Sequence, residues 1–401
     1  MNALTSIDHA SRISAPADAA ALAPASVSAR IVRLRAISDE IAAAWDDLAD
    51  HAAEANAFQE RWFLQSSIAM DPDARVRIVL AYAGDMLIGL MPLARASHYG
   101  RLPIAHAENW LHYHSFLGGP LLRRGREIAA WTAILHAIDT DPASRNLLHL
   151  TGLAEGGPTH RTLLAATSAM GRPCDTVHRI ERALLESDLA PEAYYAATVR
   201  KKKRKEIGRL QSRLSELGAV TIHRLTDTAD LPGWIDAFLS LEQSGWKGRN
   251  GSALGCDPAT ATFFRDAIAA GWQRGRVQML RLDLDDRPLA MLVNFVAPPG
   301  SFSFKTAFDE DYARYSPGVL VQLANLDILH RADIGWMDSC ASADHPMINS
   351  LWGERRHIVR VTLPLAGWRG HALFHIARAA ERAASALRTL RARPATPESP
   401  E

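Results

Sequence analysis

The chain repeats itself. Val76–Leu93 reads VRIVLAYAGDMLIGLMPL, and Val277–Asn294, 201 residues further on, reads VQMLRLDLDDRPLAMLVN. Each is an aliphatic, β-branched run, a two-residue polar turn and a second such run, which predicts a β-hairpin. Upstream, FLQSSIA at Phe63–Ala69 lies over FRDAIAA at Phe264–Ala270, both on predicted helices. Downstream, the GGPLL stretch ending at Leu122 falls near SPGVL at Ser316–Leu320, both read as opening a helix. A second block, Leu148–Leu164 over Trp336–Trp352, matches at the shorter offset of 188, the difference being taken up by a longer first-half helix at Arg124–Ile138. Duplication at this separation predicts two related domains, not a solenoid of short repeats.

The second half gives the order most clearly. Val220–Thr226 reads as a strand and Ala229–Gly245 as a helix, followed by a Gly-rich loop at Lys247–Gly255. Pro258–Gly271 reads as a helix N-capped by Asp257. After the hairpin come a strand at Phe302–Phe308 and a helix from Pro317 to about Arg331. A strand at Trp336–Cys340, a short helix at Pro346–Trp352 and a strand at Ile358–Leu363 complete the set. Between the halves, Ile207, Leu210, Leu214 and Leu217 make one apolar helical stripe, with Gly218 as its C-cap. The expected division is a disordered leader over 1–29, a first domain over 30–197, a second over 198–368, an amphipathic helix over 369–393 and a disordered tail over 394–401. The first domain is expected to be the degenerate copy.

Composition removes several function classes. With 45 Lys+Arg against 44 Asp+Glu, the net charge of +1 supplies no whole-molecule field for nucleic acid or anionic lipid. Three scattered cysteines, Cys174, Cys256 and Cys340, form no C-x-x-C, which argues against a disulfide framework or structural zinc and for a reducing cytoplasm. The longest apolar stretch, Ile78–Ala94, is interrupted by Gly84, Asp85, Gly89 and Pro92, and is too short for a spanning helix of about 20 residues.

The order strand, two helices, three strands, helix, strand, helix, strand resembles the GNAT acyltransferase fold. Three stretches carry the likeness: the basic helix Lys201–Leu217; EQSGWKGRNGSAL at Glu242–Leu254; and FKTAFDEDYARYSPGVL at Phe304–Leu320 with the later GWMDSCASADHP. The tandem arrangement resembles the BioF2-like acetyltransferases of the cellulose-biosynthesis CelD/BcsL type, and is similar to the FemABX peptidyltransferases. The resemblance implies an α/β fold of two tandem GNAT-like domains, with mixed central sheets flanked by helices. It implies acetyl-CoA or another acyl-CoA as co-substrate, no metal, and an amine or hydroxyl acceptor on a saccharide or peptide precursor of the cell envelope or an exopolysaccharide. One departure stands out. The acetyl-CoA motif Q/R-x-x-G-x-G/A is represented by Arg314-Tyr315-Ser316-Pro317-Gly318-Val319, with a single displaced glycine.

The residues themselves suggest a site. Ser316 as N-cap, Pro317 in the first turn and Gly318 without a Cβ would open a helix whose free N–H groups suit a pyrophosphate. Arg314, Tyr315, Ser316, Gly318, Val319 and Leu320 are therefore the cofactor-binding candidates. Asp338, at a strand end, and His345, seven residues on, are the candidate general bases. Trp246, Lys247 and Arg249 form a cationic loop fit to hold the acceptor, and Lys305 and Asp309 flank the strand before Arg314.

Other features read as structural. Lys201–Lys205 reads as a solvated helix face, although a FemABX-like use of aminoacyl-tRNA would place RNA there. His112 and His114, without a carboxylate or cysteine at ligand spacing, read as hydrogen-bonded structural histidines. In the C-terminal helix, Leu373, Ile376, Ala380, Ala384, Leu387 and Leu390 form an apolar stripe, read as docking on the second domain, with peripheral contact to the inner face of a membrane as the other use. A non-catalytic assembly factor on the same scaffold is the remaining rival.

Overall fold

A computed structural model describes residues 26–392 apart from 72 and 74, with side chains as far as residue 384. Most of the expected leader and all of the expected tail lie outside the described residues. The first half comprises β1 (Val27–Arg33), α1 (Asp39–Asp50), α2 (Arg61–Met70), β2 (Arg77–Ala83), β3 (Met86–Ala96), β4 (His106–Asn109), β5 (Leu121–Leu122), α3 (Glu127–Thr140), β6 (Leu147–Ala154), α4 (Pro158–Ala169) and β7 (Asp175–Leu185). Helices α5 (Pro191–Thr198) and α6 (Lys201–Ser215) lead to the second half. That half comprises β8 (Val220–Arg224), α7 (Leu231–Ser244), α8 (Trp246–Arg249), α9 (Pro258–Gln273), β9 (Val277–Leu284), β10 (Arg287–Ala297), β11 (Gly300–Phe308), α10 (Pro317–Ala324), β12 (Trp336–Asp338), α11 (Pro346–Asn349), β13 (Glu354–Pro364) and α12 (Trp368–Ala392).

The duplicated hairpins are β2–β3 and β9–β10, each closed by the expected two-residue turn. Gly84 in the first and both Asp285 and Asp286 in the second take positive φ, as such tight turns require. Asp257 caps α9 through the Ala259 amide. Some boundaries differ. Strand β1 begins at Val27, inside the expected leader. The GGPLL stretch forms the short strand β5 rather than a helix start. Trp246–Arg249 is a helical turn, not open loop. α6 stops at Ser215, so Leu217 lies beyond it, 49% exposed, and Gly218 is not its C-cap.

The halves do not sit side by side as separate sheets. One sheet runs β1-β2-β3-β4-β6-β13-β7-β12-β11-β10-β9-β8, with β5 added to β3. Strand β13, from the second half, pairs with β6 of the first, and β7, from the first, pairs with β12 of the second. Each half thus completes the other's sheet, and the order is the same from either edge under the repeat. The exchange follows from β7 and β13 being long enough to pair with each other along nearly their whole length.

The cores reinforce the exchange. On one side of the joint sheet, α2 and α9, the two helices matched by the repeat, pack together. Phe58, Trp62 and Phe63 enter a cluster with Phe263, Phe295 and Phe302. Phe58 and Phe302 lie 5.1 Å apart between ring centroids, and Phe63 and Phe263 5.4 Å apart. Each such ring contributes about 1.5–3 kcal/mol by burial, so the halves are joined by core packing and not by a hinge. α6 covers the other face of the second half through Ile207 and Leu214, packed with Leu280 and Leu292.

α12 docks on the first half, not the second. Phe374 and Ala377 pack with Tyr99, Ile104 and Leu147, and Arg378 bonds Asp175 at 2.9 Å. The buried side of the helix is offset from the expected stripe, leaving Ile376 55% exposed. The helix follows β13, and β13 belongs to the first half's part of the sheet.

Candidate functional site

β11 and β12 are parallel neighbours over three pairs only, ending at Phe302 and Asp338. Beyond them β11 continues to Phe308 while β12 stops, so the strands part. A bulge lies in this continuing segment, because Val293 pairs with Lys305 while Asn294 pairs with Ser303. The extra residue, Phe304, shifts the alternation of side chains. Ser303 and Thr306, three apart, consequently both meet Gln322 of α10, at 3.1 Å each. Lys305 is turned to the opposite face, towards α7.

There Glu242 of α7 holds the cluster. Its Oε1 accepts from Lys247 at 2.9 Å and lies 3.6 Å from Lys305 Nζ, while its Oε2 accepts the Leu254 N–H at 2.9 Å. Burial alone would raise the Glu242 carboxyl, but the two ammonium groups and the amide favour the anion, and its pKa ends below the usual value. Burial pulls the Lys305 ammonium down to about 8, with Glu242 opposing and Lys247 adding to the fall. A cleft opens beside this cluster, lined by Glu242, Trp246, Lys247, Thr306, Phe308 and Glu310. Glu310 latches its rim by accepting from the Trp246 amide at 2.6 Å and from Arg249.

The first half contributes to the same place. His112 and His114 stand on the loop after β4 and pack against Phe263 of α9. They are hydrogen-bonded only in part: His112 Nδ1 accepts the His114 N–H at 3.3 Å, while His112 Nε2 and His114 Nδ1 are buried without a partner among the described residues. Burial lowers both to about 3, with neighbouring positive charge (Lys305 among it) adding to the fall, so both rings are neutral near pH 7.

The remaining sequence candidates fall into three settings. Asp338 is fully buried between Arg182 of β7 and Arg356 of β13, at 3.3 and 3.2 Å, and its Oδ1 accepts the Cys340 amide at 2.7 Å. It pins the exchanged strands and has little lone-pair capacity left. Asp309 is likewise engaged, accepting from Arg287 at 2.6 Å and capping the Glu310–Tyr315 turn. His345 caps α11, its Nδ1 taking the Ile348 N–H at 3.5 Å. That tautomer leaves the proton on Nε2. Burial also holds the ring below its ordinary pKa.

The turn before α10 differs from expectation. Ser316 is left-handed, with φ 55°, and its side chain caps nothing. Its N–H bonds Ala313, and the N–H groups of Val319 and Leu320 both bond the Ser316 carbonyl. Pro317 has no N–H, so Gly318 keeps the amide without a backbone partner among the described residues. Gly318 is itself buried, and a Cβ there would meet Phe308 at 3.3 Å. Arg314 is exposed over the Tyr315 ring at 4.8 Å. The turn thus offers one amide without a backbone partner, on a buried residue, and one exposed guanidinium, fewer groups than the sequence suggested.

The corresponding opening of the first half is filled by its own chain. Asn109 ties Gly118 to Thr151, at 2.8 and 2.9 Å, and the Gly118 amide bonds Gly152 at 2.7 Å. A Cβ on Gly118 would fall 2.1 Å from the Thr151 carbonyl, so only glycine allows this closure.

Sequence reading missed Glu242, Arg182 and Arg356. Glu242 stood in a noted stretch five residues before Lys247, which was a usable signal. The two arginines had none, because their convergence depends on the strand exchange. Glu242→Gln is expected to cost about 3–5 kcal/mol in urea unfolding, since it leaves buried ammonium groups uncompensated. It should also lower Lys305 below its value of about 8, read as faster acylation of one lysine by an amine reagent at neutral pH.

Comparison with known proteins bears on the fold. Residues 201–345 match the family model described as an acetyltransferase (GNAT) domain. No curated protein matches the chain. Among solved structures, FemX is similar with a TM-score of 0.55 at 10% identity, over 84% of this chain and 98% of that one. The C-terminal DUF2156 domain of a putative lysylphosphatidylglycerol synthetase from Agrobacterium fabrum gives 0.50 at 12%, over 83% and 94%. A conserved protein of unknown function from Bacteroides thetaiotaomicron gives 0.50 at 10%, over 81% and 97%. At such identities the likeness is one of fold, and the fold is two GNAT-like domains in tandem. Among the described residues no helix is long and apolar enough to cross a membrane. No group of three or more His, Cys, Asp or Glu among them is placed to hold a metal ion.

Proposed function

We propose that the chain is an acyltransferase whose second domain, residues 198–368, moves an acetyl or other acyl group from acyl-CoA to an amine or hydroxyl of a cell-envelope or exopolysaccharide precursor. The observation that carries this reading is the parting of β11 and β12, with a bulge and a buried low-pKa lysine at its edge. The closed counterpart in the first domain supports placing catalysis in the second. The family match over residues 201–345 supports acyl transfer in general. The acceptor class rests on the resemblance to the BioF2-like, CelD/BcsL type.

The proposed roles are these. The Gly318 N–H and Arg314 receive phosphate of the donor. Lys305, in its neutral form, takes the proton from the acceptor as the acceptor's nitrogen or oxygen attacks the thioester carbon; the C–S bond then breaks, CoA leaves as its thiolate, and the proton on Lys305 passes to that sulfur or to solvent. Glu242 holds Lys305 in place and receives its charge. His345, with the proton on Nε2, donates to developing negative charge. Trp246 is 52% exposed at the cleft rim, where its ring is available to stack on a sugar or peptide face.

Calorimetry with acetyl-CoA tests the reading. The wild-type protein should bind, and Arg314→Glu, at an exposed position, should weaken binding at least tenfold while far-UV circular dichroism is unchanged. The new carboxylate would stand against the donor phosphate. Undiminished affinity in the variant would move the phosphate site elsewhere, and no heat with the wild type at millimolar ligand would leave the assembly role.

A further inference from the structure

We propose that the outer ridge of α6 is a docking surface for an anionic phospholipid bilayer. Lys201, Lys205, Arg209 and Arg213 recur every four residues on the side of the helix opposite the buried Ile207 and Leu214, and all four are exposed. They form a line of cations about 18 Å long, and Lys202 stands beside it. Between Arg200 and Arg213 there are eight basic residues and one acid, Glu206. Among the described residues none of the eight forms an ion pair, although the chain pairs arginines with carboxylates at Arg182, Arg276 and Arg356.

This arrangement costs stability. Like charges four apart on a helix repel by roughly 0.2–0.5 kcal/mol per pair, and cations in the first turn oppose the helix dipole. Among the described residues, Glu206 is the one acid of α6 set against these charges, and no carboxylate from another element pairs with them, so we look outside the fold for the counter-charge. The ridge points away from the protein, runs the length of α6, and suits an extended polyanion rather than a ligand in a cleft. Single-stranded nucleic acid would call for aromatic stacking platforms, and α6 has no aromatic residue. Anionic headgroups need only the charge. Just past the helix, Leu217 and Ile222 are exposed and apolar, which a bilayer tolerates. Lys203, on the inward side of α6, donates to Ser350 after α11 and so ties the ridge to the second half. The ridge and its test are independent of the acyl-transfer reading, because binding is measured without donor.

The full-length protein is sedimented with phosphatidylcholine vesicles, with and without phosphatidylglycerol. It should be retained only by the anionic vesicles, and less as salt is raised. A Lys201→Gln, Lys205→Gln, Arg209→Gln, Arg213→Gln variant should bind on the order of a thousandfold more weakly with a melting temperature that is not lowered. Lys201→Arg with Lys205→Arg should keep full binding. Equal retention by neutral and anionic vesicles, or undiminished binding by the quadruple variant, would overturn the proposal. So would tight, salt-sensitive binding of RNA with no retention by vesicles.

Discussion

Asp338→Ala is expected to destabilise the protein by about 3–5 kcal/mol in urea unfolding. The carboxylate is fully buried, and Arg182 and Arg356 reach it from two different strands. Removing it leaves two guanidinium groups facing each other with little water to screen them. The damage would fall where β7, β12 and β13 meet, so both halves should loosen in one transition. Asp338→Asn tests the same point more gently. It keeps the shape and the Cys340 amide contact but not the charge, and should still lose most of the stability. A variant that melted like the wild type but had lost activity would instead make Asp338 the proton acceptor. The expected pattern is the reverse, a low melting point with the activity of the folded fraction little changed.

Asp338 also shows where sequence reasoning stops. The repeat gave two related halves because hairpin alternation and turn chemistry are local. Val76–Leu93 and Val277–Asn294 need no distant partner to be read as hairpins. The exchange of β7 and β13 is set by pairing between strands some 180 residues apart, Arg182 against Arg356 in register, and no local pattern encodes that. An acid at a strand end looked like a free base, but the arginines that occupy it arrive from β7 and β13, strands distant from β12 in sequence or in pairing. The turn at Ser316 failed for a different reason. Ser before Pro is a good cap in the extended conformation, whereas here Ser316 is left-handed and its side chain cannot reach the amides. Trp246, Lys247 and Lys305 stood out in the sequence as unusual residues in short polar stretches, and the structure sets both lysines on Glu242 with Trp246 at the cleft rim. Glu242 was hidden by being one acid among 44 acidic residues, distinguished only by its burial.

Lys305→Met should lower kcat/KM by about 10²–10⁴-fold if Lys305 removes the proton. The effect belongs to chemistry, so kcat should fall and KM should stay near the wild-type value. The pH dependence makes the test specific. The neutral amine is the active form, and its pKa is about 8. The wild-type rate should therefore rise with pH through about 8 and level off above it, a limb that Lys305→Met should lack. Lys305→Arg would fit the space less well and would stay charged at any usable pH. It should be as slow as the methionine variant and show no limb. Glu242→Gln should keep the limb and move it to lower pH, because the carboxylate that favours the charged amine is gone. A lysine that merely held the substrate's anion would behave differently. Arginine would then restore much of the rate, KM would carry the loss, and the rate would fall rather than rise as the amine deprotonates.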